Sequence, residues 1–239
     1  MNITDSPRRP ILRRALVGLA AAALVASACG SDPDAGATAG QSDESVSSEV
    51  SPEDASVSSE NVSDGDAAQG VQQNGPITVE GDPLDPFGST PEDLSVGTAA
   101  PVVSGESFDG TPITIGGPTE NPTLVVFLAH WCPHCNDEIP ELVALDDAGD
   151  LPEGLDIVGV STAVDPTDDN YPPSDWAVDK DWRWQMMADD EELSAIIAYG
   201  GNSFPFAVVL DAEGNVLARR AGAASAAETM AFLDAALAG

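Results

Sequence analysis

Apolar and polar positions divide the chain into three stretches. An unbroken apolar run fills 15–25, no apolar period is sustained from Ser31 to about Ser95, and short apolar runs alternate with amphipathic stretches from Val96 onward. In this last stretch, compact apolar runs bounded by Gly, Pro, Asn and Asp predict strands over 111–115, 123–129, 155–161, 184–187, 206–210 and 216–219. Apolar residues at helical spacing predict helices over 133–148, roughly 174–180, 190–199 and 225–237. Asp211-Ala212-Glu213-Gly214-Asn215 joins the last two strands as a tight hairpin, with Gly214 available for a positive φ. A βαβ crossover followed by an antiparallel hairpin and a closing helix gives an α/β class: a mixed central sheet with helices on both faces, folded as one domain over 96–239.

The first stretch reads as an export signal. Arg8, Arg9, Arg13 and Arg14 precede the apolar run, and the small residues Ala26-Ser27-Ala28 precede Cys29. The run is short and alanine-rich for a membrane span, so removal is expected. Leu24-Val25-Ala26-Ser27-Ala28-Cys29 resembles a lipobox, with Ala26 in place of the usual Leu, which implies a lipoprotein-type signal over 1–28 and lipidation of Cys29. An ordinary small-residue cleavage site is the alternative. Arg8-Arg9 also resembles a twin-arginine motif. Residues 29–95 are expected to form a disordered acidic tether, because runs such as Gln41-Ser42-Asp43-Glu44-Ser45 bury too little apolar surface to offset ordering entropy. The expected location is extracytoplasmic, on the outer face of the cell membrane, or soluble and secreted or periplasmic if Cys29 carries no lipid.

Charge narrows the partners. The chain holds 41 acidic and 8 basic residues, a formal net charge of -33, and only Lys180, Arg183, Arg219 and Arg220 are basic beyond the signal. A surface of that sign repels nucleic acid and anionic lipid head groups, so any membrane attachment must come from the lipid itself.

The chemistry-bearing motif is Trp131-Cys132-Pro133-His134-Cys135, directly after the apolar run ending at Ala129. A Cys at the last non-helical position can accept from the free N–H groups of the first helical turn, here His134 and Cys135, and Pro133 suits the first helical position. The helix dipole and a protonated His134 would stabilise a thiolate on Cys132, the expected nucleophile. Cys135, one turn further in, is the expected resolving thiol. A static staple gains little from so short a loop. A metal site built from His130, Cys132, His134 and Cys135, as in a copper or zinc carrier, lacks a second ligand pair, because Cys29 is the one remaining cysteine. A c-type haem attachment needs His where Asn136 stands.

With these residues in view, the domain resembles the thioredoxin fold of exported TlpA/ResA-like thiol–disulfide oxidoreductases. The resemblance rests on Ala100-Pro101, the Asp109-Gly110 turn, the CPHC motif, Pro140, Ser203-Phe204-Pro205-Phe206 and the 210–214 hairpin. It implies a cis Phe204–Pro205 bond facing the cysteines, with Phe204 and Trp131 contacting an extended substrate chain. It also implies a role for Glu138 in taking the Cys135 proton, since Cys132 to Pro140 reproduces the family pattern of an acid three residues after the second Cys, whereas a solvated helix face is the other reading. The buried Asp of thioredoxin is replaced by Val126. Trp176, Trp182 and Trp184, in the insertion over 165–190, read as core, with a partner-binding surface as the other reading.

The implied partners are exported protein thiols or disulfides and a membrane or exported redox protein that recycles the pair, with no cofactor. Pro133-His134 resembles the dipeptide of Dsb-type oxidases, which leans toward an oxidase or isomerase. The scaffold resembles reductases of cytochrome c maturation. A peroxidase of the same fold would carry Thr at the position of Ala129.

Overall fold

The structure is a computed structural model and describes residues 71–238. The signal, Cys29 and the tether as far as residue 70 lie outside the described residues. Eight strands and four helices follow in the order β1 (Thr78–Glu80), β2 (Val102–Ser107), β3 (Pro112–Ile115), β4 (Thr123–Leu128), α1 (Pro133–Ala148), β5 (Asp156–Ser161), α2 (Pro173–Asp179), β6 (Gln185–Ala188), α3 (Ser194–Ala198), β7 (Phe206–Leu210), β8 (Val216–Ala221) and α4 (Ala226–Leu237). One mixed sheet holds them in the order β1-β2-β6-β5-β4-β7-β8, with β3 paired to β2. β4 is buried along its whole length, parallel to β5 and antiparallel to β7. Its alternation serves both layers: Leu124, Val126 and Leu128 pack with Ile139, Leu142, Trp176 and Leu233 of α1, α2 and α4, while Val125 and Phe127 pack with Ile196 and Tyr199 on the other face. This is a thioredoxin-like α/β fold. Among the described residues no helix is long and apolar enough to cross a membrane.

Two expectations change. Residues 71–95, read as tether, are packed on the domain. β1 pairs antiparallel with β2, Leu84 enters the core, and the Leu84 and Phe87 N–H groups donate to Ala198 O (2.9 Å) and Gly200 O (2.8 Å). This anchorage uses backbone bonds and isolated side chains, so it has no periodic apolar signature. The helix expected over 190–199 shrinks to Ser194–Ala198. Asp189 and Asp190 accept from the N–H groups of Ala195 (2.9 Å) and Ser194 (2.8 Å), and Leu193 holds a φ of 62°, which confines the helix to its last turn. The 211–215 hairpin forms as expected: Gly214 has φ 85° and donates to Asp211 O at 3.0 Å.

Candidate active site

The chain leaves the C-terminal end of the central strand β4 and enters α1, and Cys132 occupies the N-cap of that helix with φ −75° and ψ 119°. Pro133 stands at the start of the helix, which continues through Pro140 to Ala148. The expected capping bonds to the Cys132 sulfur are absent. Both cysteines are free thiols, and the Cys132 S–H points at the Phe204 carbonyl, 3.7 Å away, rather than accepting from the helix. A protonated thiol donates, and the carbonyl before Pro205 is the acceptor it finds. The Phe204–Pro205 bond is cis. The Trp131 ring meets Phe204 edge to face at 5.8 Å, and its indole N–H donates to Ala163 O at 2.7 Å.

Side chains from the insertion fix the loop that carries Cys132. Asn136 Nδ2 donates to Cys132 O (2.9 Å) and His130 O (3.1 Å), while Asn136 Oδ1 accepts from the indole N–H of Trp176 (2.9 Å). Asn170 Nδ2 also donates to His130 O, at 3.0 Å. His130 is buried with both ring nitrogens engaged: Nε2 accepts from the Asp165 N–H at 3.2 Å, which leaves Nδ1–H to donate to Asp169 O at 2.8 Å. Neither nitrogen is open to the metal ligation considered for this cluster. His134 lies exposed on the first turn, with no hydrogen bond to either sulfur among the described residues.

The two thiols sit in different surroundings. Cys132 retains 6 % exposure and Cys135 none. Burial pushes the Cys135 thiol well above the usual range, and the Ala129 N–H, donating to its sulfur at 3.5 Å, offsets this only in part. One turn on, Glu138 is buried too, rather than on a solvated helix face. Burial pushes its carboxyl up to about 7 against the pull of Arg220, which forms an ion pair with it. Val126 keeps the neighbouring strand position apolar.

The fold thus gathers Cys132, Cys135, Trp131, Phe204 and Pro205 at one end of the sheet, with Glu138 beneath and His134 turned to solvent. Asn136, Trp176 and Arg220 join them, although the sequence does not single out Asn136 or Arg220 and offers Trp176 as core only. The one available signal for Arg220 is its rarity as a cation in so acidic a chain.

Solved structures resemble the domain. A thioredoxin family thiol:disulfide interchange protein from Chlorobium tepidum TLS is 27% identical, with 59% of this chain and 96% of that chain covered and a TM-score of 0.46. StoA from Bacillus subtilis is 19% identical over 54% of this chain and 92% of its own, with a TM-score of 0.44. A secreted Mycobacterium tuberculosis disulfide oxidoreductase homologous to E. coli DsbE is 20% identical over 55% and 94%, also at 0.44. No curated protein sequence matches the chain. The AhpC/TSA family model matches residues 96–219. That match spans more than half of the sequence, and the chain belongs to the AhpC/TSA family.

Proposed function

We propose that this protein is an extracytoplasmic, lipid-anchored TlpA/ResA-like oxidoreductase that exchanges disulfides with exported proteins through its CPHC pair. The observation that carries the reading is the asymmetry of the thiols: Cys132, though largely buried, keeps a trace of exposure beside Phe204 O, and Cys135 is fully enclosed with its proton held by burial. Cys132 attacks or is attacked, Cys135 resolves, and Trp131, Phe204 and Pro205 hold the substrate backbone. Glu138 is the proton acceptor for Cys135, supported by its burial and its position one turn away. Cys29 carries the lipid.

The Pro133-His134 dipeptide leans the reaction toward oxidation or isomerisation of exported proteins. The reduction potential of the protein tests this, and a value near about -270 mV, the thioredoxin range, overturns the oxidase direction. The reductase direction, for cytochrome c maturation or other exported thiols, is favoured by the buried acid beside Cys135, since a reductase must deprotonate that thiol to release its product. Trapping cellular partners on a Cys135→Ser variant tests the exchange itself. Exported cysteine proteins joined to Cys132 are the expected result, and an empty trap overturns the proposal.

A further inference from the structure

The ion pair between Arg220 and Glu138 is built unlike a structural salt bridge. Arg220 Nη2 donates to Glu138 Oε1, and the side chains are 19% and 7% exposed. Arg220 Nε and Nη1 and Glu138 Oε2 are buried and find no partner among the described residues. The guanidinium instead lies over the Phe232 ring of α4, 5.0 Å from its centroid. A buried pair that leaves its other polar atoms unpaired contributes little net stability, because desolvation offsets the Coulombic gain. On the outer side of Glu138, a cleft of about 190 Å³ between Asp137, Glu141 and 223–225 opens to solvent. That space is large enough for water.

We propose that Arg220 is a positioning residue for disulfide exchange: it holds the Glu138 carboxylate between Cys135 and this cleft, so that protons pass between the buried thiol and solvent. The inference rests on the exchange reading above. With a substrate chain joined to Cys132 by a mixed disulfide, the Cys135 S–H gives its proton to Glu138, directly or through one water. The Cys135 thiolate then attacks Cys132 Sγ, the Cys132–Cys135 bond forms, the bond from Cys132 to the substrate sulfur breaks, and that sulfur leaves as a thiolate. Over the whole cycle the two protein thiols lose two electrons to the substrate disulfide, and Glu138 returns its proton to water in the cleft. In the oxidising direction the same steps run backward, with Glu138 supplying the proton to departing Cys135.

Arg220 is needed because everything else around Glu138 favours the neutral acid. Cys135, Asp137 and Glu141 share its helix, Glu228 stands in the first turn of α4, and the remaining wall, Ala223, Ala224 and Ser225, carries no charge. Burial pushes the carboxyl up to about 7, and the guanidinium is the one opposing charge.

The test uses the full chain. Resolution of a mixed disulfide between Cys132 and a cysteine peptide is followed from pH 5 to 9, and the Glu138 carboxyl is titrated by carbon NMR. Arg220→Gln is expected to move the acidic limb of the rate profile and the Glu138 midpoint upward together by about one pH unit, slowing resolution near neutrality up to about tenfold. Arg220→Lys is expected to restore both, and Arg220→Gln is expected to add nothing to Glu138→Gln. A profile and midpoint that stay in place in Arg220→Gln overturn the proposal. Should that variant not fold, the wild-type titration decides, because an ordinary glutamate midpoint for Glu138 overturns it as well. Failure of the wild type to exchange with the peptide instead overturns the exchange reading, a result distinct from exchange that ignores Arg220.

Discussion

Arg219 and Arg220 are neighbours on β8, and strand alternation sends them to opposite faces of the sheet with opposite consequences. Arg219 has all three guanidinium nitrogens engaged: Nε and Nη2 donate to the Asp93 carboxylate, and Nη1 donates to Asp85 O (2.8 Å) and Tyr199 O (3.1 Å). Its guanidinium also covers Phe87, 5.5 Å from the ring centroid. Its hydrogen bond holds the Asp93 carboxyl below the usual range. Gly200 has φ 71°, and a side chain there would collide with Asp85 O and this guanidinium. Arg220 makes a single bond and leaves the acid beside it poised near neutrality. A buried pair with every nitrogen engaged is a fastener, here for residues 71–95; one with two nitrogens unpartnered among the described residues is free to hold an acid that takes part in proton movement.

The comparison is tested most severely by activity. Cys132→Ser is expected to reduce exchange with a protein disulfide to the uncatalysed background while leaving thermal unfolding close to wild type, as befits a face devoted to chemistry. Arg219→Met is expected to cost about 3–5 kcal/mol in denaturant unfolding, because it strands Asp93 and the carbonyls of Asp85 and Tyr199. Amide exchange should quicken first over 71–95, while the pH profile of disulfide exchange stays in place. If that profile shifts as well, the two arginines are not separable.

Linkage gives the two acids opposite signs. The Glu138 value in the folded state is raised from 4.5 to about 7, so its contribution to stability is fully present below about 4.5 and is lost as pH rises through about 7. Glu138→Gln should therefore match the wild type in acid and exceed it by about 3 kcal/mol above pH 7, as urea melts at several pH values would show. Asp93 is depressed, so its contribution is present above 3.8 and disappears as pH falls through its folded value. Protection of 71–95 against amide exchange should fall in acid accordingly. The smallest effect is expected from Ser225→Ala, which removes the capping box at the start of α4, the helix carrying Phe232 beneath Arg220. A loss of about 1 kcal/mol in thermal unfolding, with the Glu138 titration unmoved, would place the cap outside the proton route.

Several parts of this arrangement are legible along the chain. The apolar run of β4 marks a central strand, Pro133 marks the start of α1, and the cysteine spacing marks a thiol pair at that start, because each signal is written in adjacent residues. Glu138 is legible as a candidate from its place one turn after Cys135, but its burial is not. Residues 71–95 are misread for a related reason: Leu84, Phe87 and Asp93 dock singly, through partners more than a hundred positions away, such as Arg219 for Asp93.

The sequence by itself determined the order of the elements from β3 onward, the place of Cys132 at the start of α1 and the apolar layers of the sheet, since period and turns act over a few residues, whereas β1 and β2 carry no such signal. Tertiary structure alone decided which side chains serve the thiols. Asn136 meets Trp176 across 40 positions and Glu138 meets Arg220 across 82, and the enclosure that raises Cys135 and Glu138 comes from the assembled layers. Dielectric surroundings and long-range pairing depend on the assembled fold, and no local pattern in the chain encodes them.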